Sequence, residues 1–103
     1  LCPYFPKMPT TFQIVVAYDI TDDRRRYRVA KCLEGYGVRV NYSVFECVLK
    51  ARKYEKMKGE LAKLIDKKED SVRIYRLCRA CLAETETMGV GPERFEQLGL
   101  VYV

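Results

Sequence analysis

Residues 12–37 read FQIVVAYDITDDRRRYRVAKCLEGYG, an apolar run followed by an amphipathic one. The run Phe12–Tyr18 is rich in β-branched and aromatic residues and is nearly continuous, which is typical of a central strand covered on both faces. The segment Thr21–Asp23 then supplies N-cap chemistry, and apolar residues at spacings of three and four predict a helix over Asp23–Tyr36. The stretch therefore predicts a strand that leads directly into a helix.

The rest of the chain continues this alternation. Val38–Leu49 alternates as extended chain, either as one long strand or as a hairpin turning near Asn41–Ser43. Residues 51–65 place their apolar side chains on one helical face, and Asp70–Leu77 is a further strand. This order predicts an α+β protein, a ferredoxin-like βαββαβ sandwich with an extra C-terminal strand. The weaker strand predictions lie near the C-terminus, at Ala83–Met88 and Leu100–Val103.

A chain of 103 residues supports one domain with one core. We divide it into a flexible lead-in at 1–11, a core at 12–78 and a C-terminal segment at 79–103 that serves dimerisation. No run approaches the roughly 20 apolar residues of a membrane span, and none resembles a signal peptide. Five cysteines, an odd number without secretory context, favour free thiols in the cytoplasm.

The chain contains no histidine. This excludes Ser-His-Asp triads, Cys-His pairs, His-based RNA cleavage and zinc sites that include histidine. Cys78 and Cys81 have the CxxC spacing of a metal or redox site, but no second such pair completes four zinc ligands. We interpret them as a structural pair, with a disulfide clamp or a metal shared between subunits as alternatives. Any chemistry must use carboxylates, tyrosines, cysteines or a bound metal.

The positive charge is concentrated in the first part of the chain. The first 82 residues hold 18 Lys and Arg against 10 Asp and Glu, whereas residues 83–103 hold one against four. A basic body with an acidic tail suits a polyanionic partner or self-association through the tail. The alternative is a solvated basic surface that keeps the protein soluble.

Two motifs near the start of the first helix are candidates for function. Tyr18 and Asp19 end the first strand, at the sheet edge where ligands gather in open α/β sheets, although Asp19 alone also suits a helix cap. One carboxylate is too few for a catalytic metal site, but a twofold dimer would bring two copies of Asp19 together. The run Arg24–Arg28 suits phosphate binding through guanidinium groups, with an exposed helix face as the alternative.

Three blocks of the sequence resemble one protein family. They are Val16–Arg26 (VAYDITDDRRR), Asn41–Glu46 (NYSVFE) and Asp70–Tyr75 (DSVRIY), and the resemblance runs from about residue 12 to 78. The first two blocks at their relative spacing are together quite specific. The chain is similar to the Cas2 family, the small CRISPR-associated adaptation proteins that work with the CRISPR integrase.

The resemblance implies a fold, partners and an activity. It implies a homodimer in which the C-terminal strand crosses to the partner's sheet, and binding of duplex DNA or RNA during spacer acquisition with the integrase. It also implies an endonuclease that hydrolyses RNA or DNA with Mg²⁺, or with Mn²⁺. The family's metal-binding aspartate falls on Asp19, beside Tyr18, and we predict both as catalytic. The predicted nucleic-acid-binding residues are Arg24, Arg25, Arg26, Arg28, Arg39, Ser43 and Phe45.

Other functions fit the same residues. A basic dimer can hold duplex DNA between integrase subunits through phosphate contacts alone, without a metal. A ferredoxin-like nucleic-acid-binding module, or a toxin-like nuclease outside CRISPR and without an integrase partner, is a further alternative. The RNA-binding version of such a module needs a Gly- and Phe-rich block that this sequence lacks.

Overall fold

The first strand and helix form where the sequence predicts them, and a second strand–strand–helix–strand series completes the fold. The computed structural model describes residues 11–77 and 83–89. Its elements are β1 (Thr11–Asp19), α1 (Asp23–Glu34), β2 (Gly37–Asn41), β3 (Val44–Lys50), α2 (Ala51–Leu64) and β4 (Ser71–Leu77). This is the predicted βαββαβ order, so the α+β ferredoxin-like prediction is confirmed for the described residues.

The four strands form one antiparallel sheet in the order β2-β3-β1-β4. Of the two interpretations of Val38–Leu49, the hairpin is correct, and it turns at Tyr42 and Ser43. The central position of β1 follows from its apolar run, because a strand with neighbours on both sides must bury side chains along its length. Its last residue, Asp19, pairs with Ser71 at the start of β4.

The core lies between one face of the sheet and the two helices. Alternate residues of β1 and β3 point to the helices. The helices pack against them with apolar side chains that recur every three or four residues. Seven of the core residues have less than 2% of their surface exposed. They are Phe45, Ile14, Leu33, Met57, Val16, Val29 and Cys47.

Glu60 of α2 joins the two helices through polar contacts. Its carboxylate accepts hydrogen bonds from the Cys32 thiol at 3.5 Å and from the Tyr36 hydroxyl at 2.9 Å. Burial, and next the contact with Glu60, raises the pKa of Cys32 to about 11 and that of Tyr36 to about 12. The Cys32 thiol and the Tyr36 hydroxyl therefore stay protonated at neutral pH and are both able to donate to Glu60.

Three sequence-based expectations need correction. β1 is covered by helices on one face only, and on the other face Val15 and Ala17 are half-buried in the single chain. α1 ends at Glu34 rather than at Tyr36, because the Gly35 N–H donates to the Cys32 carbonyl and the Tyr36 N–H donates to the Leu33 carbonyl, which closes the last turn.

The predicted strand over Ala83–Met88 is wrong, since no strand forms there. The segment alternates Glu and Thr with no apolar face to bury, and Met88 is 91% exposed. The predicted strand Leu100–Val103 and the Cys78–Cys81 pair lie outside the described residues, as do residues 1–10 of the predicted lead-in 1–11. The last residue of that lead-in, Thr11, belongs to β1, where it pairs with Lys50. Among the described residues, neither helix is long and apolar enough to cross a membrane.

Candidate functional site

A cleft opens where β1 ends, between the first turns of α1 and the β2–β3 turn. It encloses a cavity of about 560 Å³. Three segments of the chain line it. They are Tyr18, Asp19 and Ile20 from β1 and its end, Asp23, Arg26, Tyr27 and Ala30 from α1, and Arg39, Tyr42 and Ser43 from β2 and the following turn.

Asp19 and Tyr18 are neighbours in sequence but have different environments. Asp19 is exposed and lines the cleft, so its carboxylate is available to a ligand. Tyr18 is 5% exposed, and its hydroxyl donates a hydrogen bond to the Tyr42 carbonyl oxygen at 3.2 Å. Its backbone N–H also donates to the Ser43 carbonyl at 3.0 Å. Tyr18 therefore fixes the β2–β3 turn against the end of β1, which positions one wall of the cleft.

Arg26 closes the loop between β1 and α1. Its guanidinium donates to the Ile20 carbonyl at 2.9 Å and to the Thr21 carbonyl at 3.3 Å, and it pairs with Asp23. Asp22 caps the helix by accepting the Arg25 backbone N–H at 2.9 Å. These contacts hold the short loop between Asp19, at the end of β1, and Asp23, at the start of α1, in one conformation.

Arg25 points to a different part of the molecule. Its Nε donates to Asp70 at 2.8 Å, and its Nη2 reaches the other Asp70 oxygen at 3.3 Å and Glu69 at 3.4 Å. The Asp70 side chain has no exposed surface, and it also accepts the Asp66 backbone N–H at 2.8 Å. The hydrogen bond from Arg25, and next that from Asp66, holds the pKa of Asp70 below its usual value. Arg25 therefore joins the start of α1 to the loop before β4.

The other predicted basic residues have no such partners. Arg24, Arg28 and Arg39 are exposed, and none forms an ion pair within residues 11–77 and 83–89. Arg24 and Arg28 lie one helical turn apart, so they share a stripe along α1. Unpaired guanidinium groups on one exposed stripe suit binding to consecutive phosphates.

Ser43 lines the cleft, whereas Phe45 lies in the core beneath it. Phe45 is completely buried, so its ring does not reach a ligand in the cleft. It lies 5.4 Å from the Arg39 guanidinium and stacks on the Tyr18 ring at 6.4 Å. Ser43 is half-buried in the turn and lines the cleft. Phe45 thus holds Arg39 and Tyr18 in place, whereas Arg39 is the group that faces solvent.

The donor set fits a hard divalent cation only in part. Within the described residues, no three acidic, thiol or imidazole groups come together as a metal site. Asp19 and Asp23 both line the cleft, and carboxylate oxygens are the ligands that Mg²⁺ prefers. Mg²⁺ is commonly held by one or two carboxylates, with water and substrate phosphate completing its shell. The cleft therefore fits a Mg²⁺ that is shared with a bound phosphate or with a second chain.

The sequence alone predicted no function for two residues that line the cleft. Tyr27 is 63% exposed and Tyr42 is 89% exposed, and both line the cavity. In the sequence they stand within the arginine run and the YSVFE block, where an aromatic residue is ordinarily core or sheet packing. Only the fold shows that both rings face solvent beside Asp19.

Comparison with known proteins gives the same family by sequence and by structure. Residues 12–85 match the family model described as "CRISPR associated protein Cas2". A relative from Chloroflexus aurantiacus, named CRISPR-associated endoribonuclease Cas2 3, is 49% identical over 77 residues, which are 75% of this chain and 83% of the relative.

Two solved structures share the fold. A hypothetical protein, TT1823, from Thermus thermophilus superimposes with a TM-score of 0.74 at 40% identity, covering 82% of this chain and 98% of the other. The Cas2 protein of Streptococcus pyogenes, crystallised at pH 6.5, superimposes with a TM-score of 0.67 at 35% identity, covering 75% of this chain and 99% of the other.

Proposed function

Because the chain belongs to the CRISPR-associated protein Cas2 family, we propose that it is a homodimeric, metal-dependent endonuclease of CRISPR adaptation. It acts in the cytoplasm, binds duplex DNA or RNA and works beside the CRISPR integrase. The observation that carries the proposal is the cleft, which is lined both by the exposed Asp19 and by Arg39, an arginine without an ion pair among the residues that the structure describes. Relatives named as endoribonucleases support the same activity.

The cleft residues have distinct tasks in this proposal. Asp19 holds the cation, and a Mg²⁺ or Mn²⁺ bound there would supply Lewis-acid polarisation of a phosphodiester. Arg39 binds the phosphate through its guanidinium, which Phe45 supports at 5.4 Å. Arg26 and Tyr18 hold the loop and the turn that carry these groups, through their hydrogen bonds to backbone carbonyls. The chain contains no histidine, so no imidazole is available to move the proton.

The uncovered sheet face supports the homodimer. On this face Glu46 of β3 lies between Val38 of β2 and Val15 of β1, and all three are half-buried in the single chain. Burial already raises the pKa of Glu46. A second copy would cover this face and bring a second Asp19 to a shared site, and the C-terminal strand exchange that the family resemblance implies would strengthen the pairing.

Phosphate binding without cleavage is the second candidate function. The stripe of Arg24 and Arg28 on α1 favours it, because these groups contact phosphates without any metal. A protein of this kind would hold duplex DNA for the integrase and leave the backbone intact. The two functions can coexist, so the test must separate cleavage from binding.

The first prediction separates them with Asp19→Asn. The substitution keeps the shape of the side chain but removes the charge that holds the cation, so nuclease activity should fall at least about 100-fold. Chelating the divalent ion should abolish cleavage by the wild type in the same way. Duplex affinity should stay within about twofold, and light scattering should give roughly twice the 12.0 kDa chain mass.

Glu34→Gln is the matched control, because it removes one exposed carboxylate from the far end of α1. It should cleave as the wild type does. If Asp19→Asn cleaves at the wild-type rate in purified protein, the metal-site assignment is wrong. The phosphate-binding function would then account better for this chain.

A further inference from the structure

Hydrolysis of a phosphodiester needs a proton for the sugar oxygen that leaves, and the chain has no histidine to provide it. We propose that Tyr42 is the proton donor, and that its hydroxyl protonates the leaving oxygen while Arg39 binds the phosphate. The inference rests on the proposed nuclease function and assigns a further catalytic residue to it.

Most polar groups that line the cleft have no proton to give. Arg26 and Arg39 remain charged, because a guanidinium is not deprotonated in proteins. Asp23 forms an ion pair with Arg26, and Asp19 is assigned to the cation. The part of the chain that the structure describes brings no lysine and no cysteine to the cavity wall. The tyrosines of the cleft are therefore the candidates for a general acid.

The three tyrosines of the cleft differ in exposure and in hydrogen bonding. Tyr18 is 5% exposed, and its hydroxyl already donates to the Tyr42 carbonyl at 3.2 Å. Tyr42 is 89% exposed and Tyr27 is 63% exposed. Neither of these two hydroxyls makes a hydrogen bond to another residue within 11–77 and 83–89. Both are therefore open to a substrate, whereas the Tyr18 hydroxyl is not.

The strand register distinguishes Tyr42 from Tyr27. The Tyr18 N–H donates to the Ser43 carbonyl at 3.0 Å, which continues the antiparallel register of β1 with β3 beyond the last strand pair. One residue further along each chain, this register brings Asp19 to the position across from Tyr42. Residues that lie directly opposite each other in antiparallel chains have Cβ atoms about 4.5–5.5 Å apart. Tyr42 is thus the exposed tyrosine that the register places beside Asp19.

The backbone of Tyr42 is held, while its side chain projects freely. Its N–H donates to the Asn41 side chain at 2.7 Å, and its carbonyl oxygen accepts the Tyr18 hydroxyl. A donor on a fixed turn loses little conformational entropy when a substrate binds. The Tyr27 ring, by contrast, lies on α1 with the Lys31 ammonium 5.8 Å from its centre.

The proposed step is balanced in atoms and electrons. The oxygen of a water molecule forms a bond to phosphorus, and the bond between phosphorus and the leaving sugar oxygen breaks. The electron pair of the broken bond goes to that oxygen, which takes the proton of the Tyr42 hydroxyl. The water gives one proton to the solvent, and the solvent returns one proton to the tyrosinate. A phenol is a stronger acid than a sugar alcohol, so the transfer becomes favourable as the leaving oxygen gains charge.

The test compares two substrates that differ in one atom. The first is an end-labelled oligonucleotide, of DNA or RNA according to which the wild type cleaves. Mapping its products identifies the leaving oxygen, because that oxygen carries the new hydroxyl. The second substrate has sulphur in place of this oxygen. Thiols are stronger acids than alcohols, with a pKa of about 8.5 for cysteine, so the sulphur leaves without a proton.

Tyr42→Phe keeps the ring and removes the hydroxyl. In single-turnover reactions it should cleave the oxygen substrate about 100-fold or more slowly than the wild type, as expected for loss of a general acid. It should cleave the sulphur substrate within about threefold of the wild-type rate, because no proton is needed. Tyr54→Phe is the matched control on α2, where the ring packs edge-on against Phe12 at 5.2 Å. It should cleave both substrates as the wild type does.

Three outcomes overturn the inference. Tyr42 has no catalytic role if Tyr42→Phe cleaves the oxygen substrate at the wild-type rate. Its hydroxyl positions the substrate and donates no proton if both substrates are slowed by the same factor. The donor lies on α1 if Tyr27→Phe, and not Tyr42→Phe, slows only the oxygen substrate.

These outcomes leave the nuclease proposal intact, because its own test is Asp19→Asn. That variant should be slow with both substrates, since sulphur replaces only the need for a proton. A wild type that cleaves neither substrate would refute the nuclease proposal and, with it, the role of Tyr42.

Discussion

The two helices lie on the same face of the sheet and are both basic, but they are anchored in different ways. α1 begins with a capping aspartate, Asp22, and with Arg25 bound to a buried carboxylate. α2 begins at Ala51, its N-cap residue Lys50 makes no side-chain capping hydrogen bond, and its first turn has no acidic residue. It is held in its middle, by burial of Met57 and Leu61 and by the hydrogen bonds that Glu60 accepts from Cys32 and Tyr36.

The helix with the polar anchors at its start is the one that lines the candidate site. Apolar burial fixes which face of a helix meets the sheet, but it tolerates small shifts along the axis. Directed hydrogen bonds and ion pairs fix the end of a helix more narrowly. The start of α1 carries Asp23 and Tyr27 into the cleft, so its polar anchoring keeps the cleft in register with Arg39 on β2. α2 contributes no residue to the cleft and needs no such anchor.

The largest effect is expected from Arg25→Ala, which removes the anchor of α1. Asp70 would stay buried with only the Asp66 N–H to satisfy its charge. We expect the thermal midpoint of unfolding to fall by several degrees. Glu55→Gln is the control, since it breaks an exposed ion pair with Lys58 on α2 and should change stability by less than about 0.5 kcal/mol.

The pH dependence of this variant checks the cause. The folded-state pKa of Asp70 is lowered, first by Arg25, so its stabilising contribution is complete above the unfolded pKa and is lost as pH falls through the folded pKa. The stability difference between wild type and Arg25→Ala should therefore shrink below about pH 4. An equal difference at about pH 3 and about pH 7 would show that the packing of the Arg25 side chain, not the charge pair, causes the effect.

The next largest effect is expected from the exposed stripe on α1 that Arg24 and Arg28 form. The double substitution Arg24→Ala, Arg28→Ala should weaken duplex binding on the order of tenfold at about 0.1 M salt, for all sequences alike. The slope of log affinity against log salt should fall by about 0.9 for each phosphate that the variant no longer neutralises. Stability should not change, because neither residue forms an ion pair within the described part of the chain.

Lys53→Ala, Lys56→Ala is the matched control on α2. It removes the same charge from an exposed face, so it isolates position from total charge. This variant should keep most of the wild-type slope of log affinity against log salt. Equal reductions in affinity for the two double variants would mean that nucleic acid responds to net charge and does not distinguish the helices.

The smallest effect is expected from Gly59→Ala in the middle of α2. A Cβ there meets nothing within 4 Å, so the helix should gain about 0.5–1 kcal/mol in its free energy of unfolding. The same change at Gly37 should destabilise the protein, because its Cβ would collide with the Glu46 carbonyl and with Cys47 Sγ. Urea titration of both variants compares them. A loss of stability in Gly59→Ala would mean that the space beside Gly59 is not open to a Cβ.

Much of the fold was predictable because it depends on local patterns. Periods of two and of three to four residues located β1, β4 and both helices, but they left Val38–Leu49 open between one long strand and the β2–β3 hairpin. The same alternation placed Val44 and Glu46 opposite Phe45, as the structure has them. The strand predicted at Ala83–Met88 was wrong. The alternation of Glu and Thr has the period of a strand, but the segment has no apolar face that a strand could bury.

The different contacts of the successive arginines in α1 could not be predicted from the sequence. Arg24, Arg25 and Arg26 are identical side chains at successive positions, and each points about 100° from the next around the helix. Their roles depend on what lies in each direction. For Arg25 that is Asp70, which is 45 residues away in the chain. Sequence spacing alone carries no information about such a contact.

Burial of Cys32, together with its contact with Glu60, also determines how this thiol reacts with thiol reagents. With a pKa of about 11, roughly one Cys32 in ten thousand is a thiolate at neutral pH. Cys47 is fully buried and has a pKa raised to about 12. Both thiols will therefore react slowly with maleimides and peroxides. In a variant whose other three cysteines, Cys2, Cys78 and Cys81, are replaced by serine, a cysteine introduced at an exposed position such as Lys67 would outcompete Cys32 and Cys47 for a fluorescent label. Site-specific labelling then does not require the removal of Cys32 or Cys47.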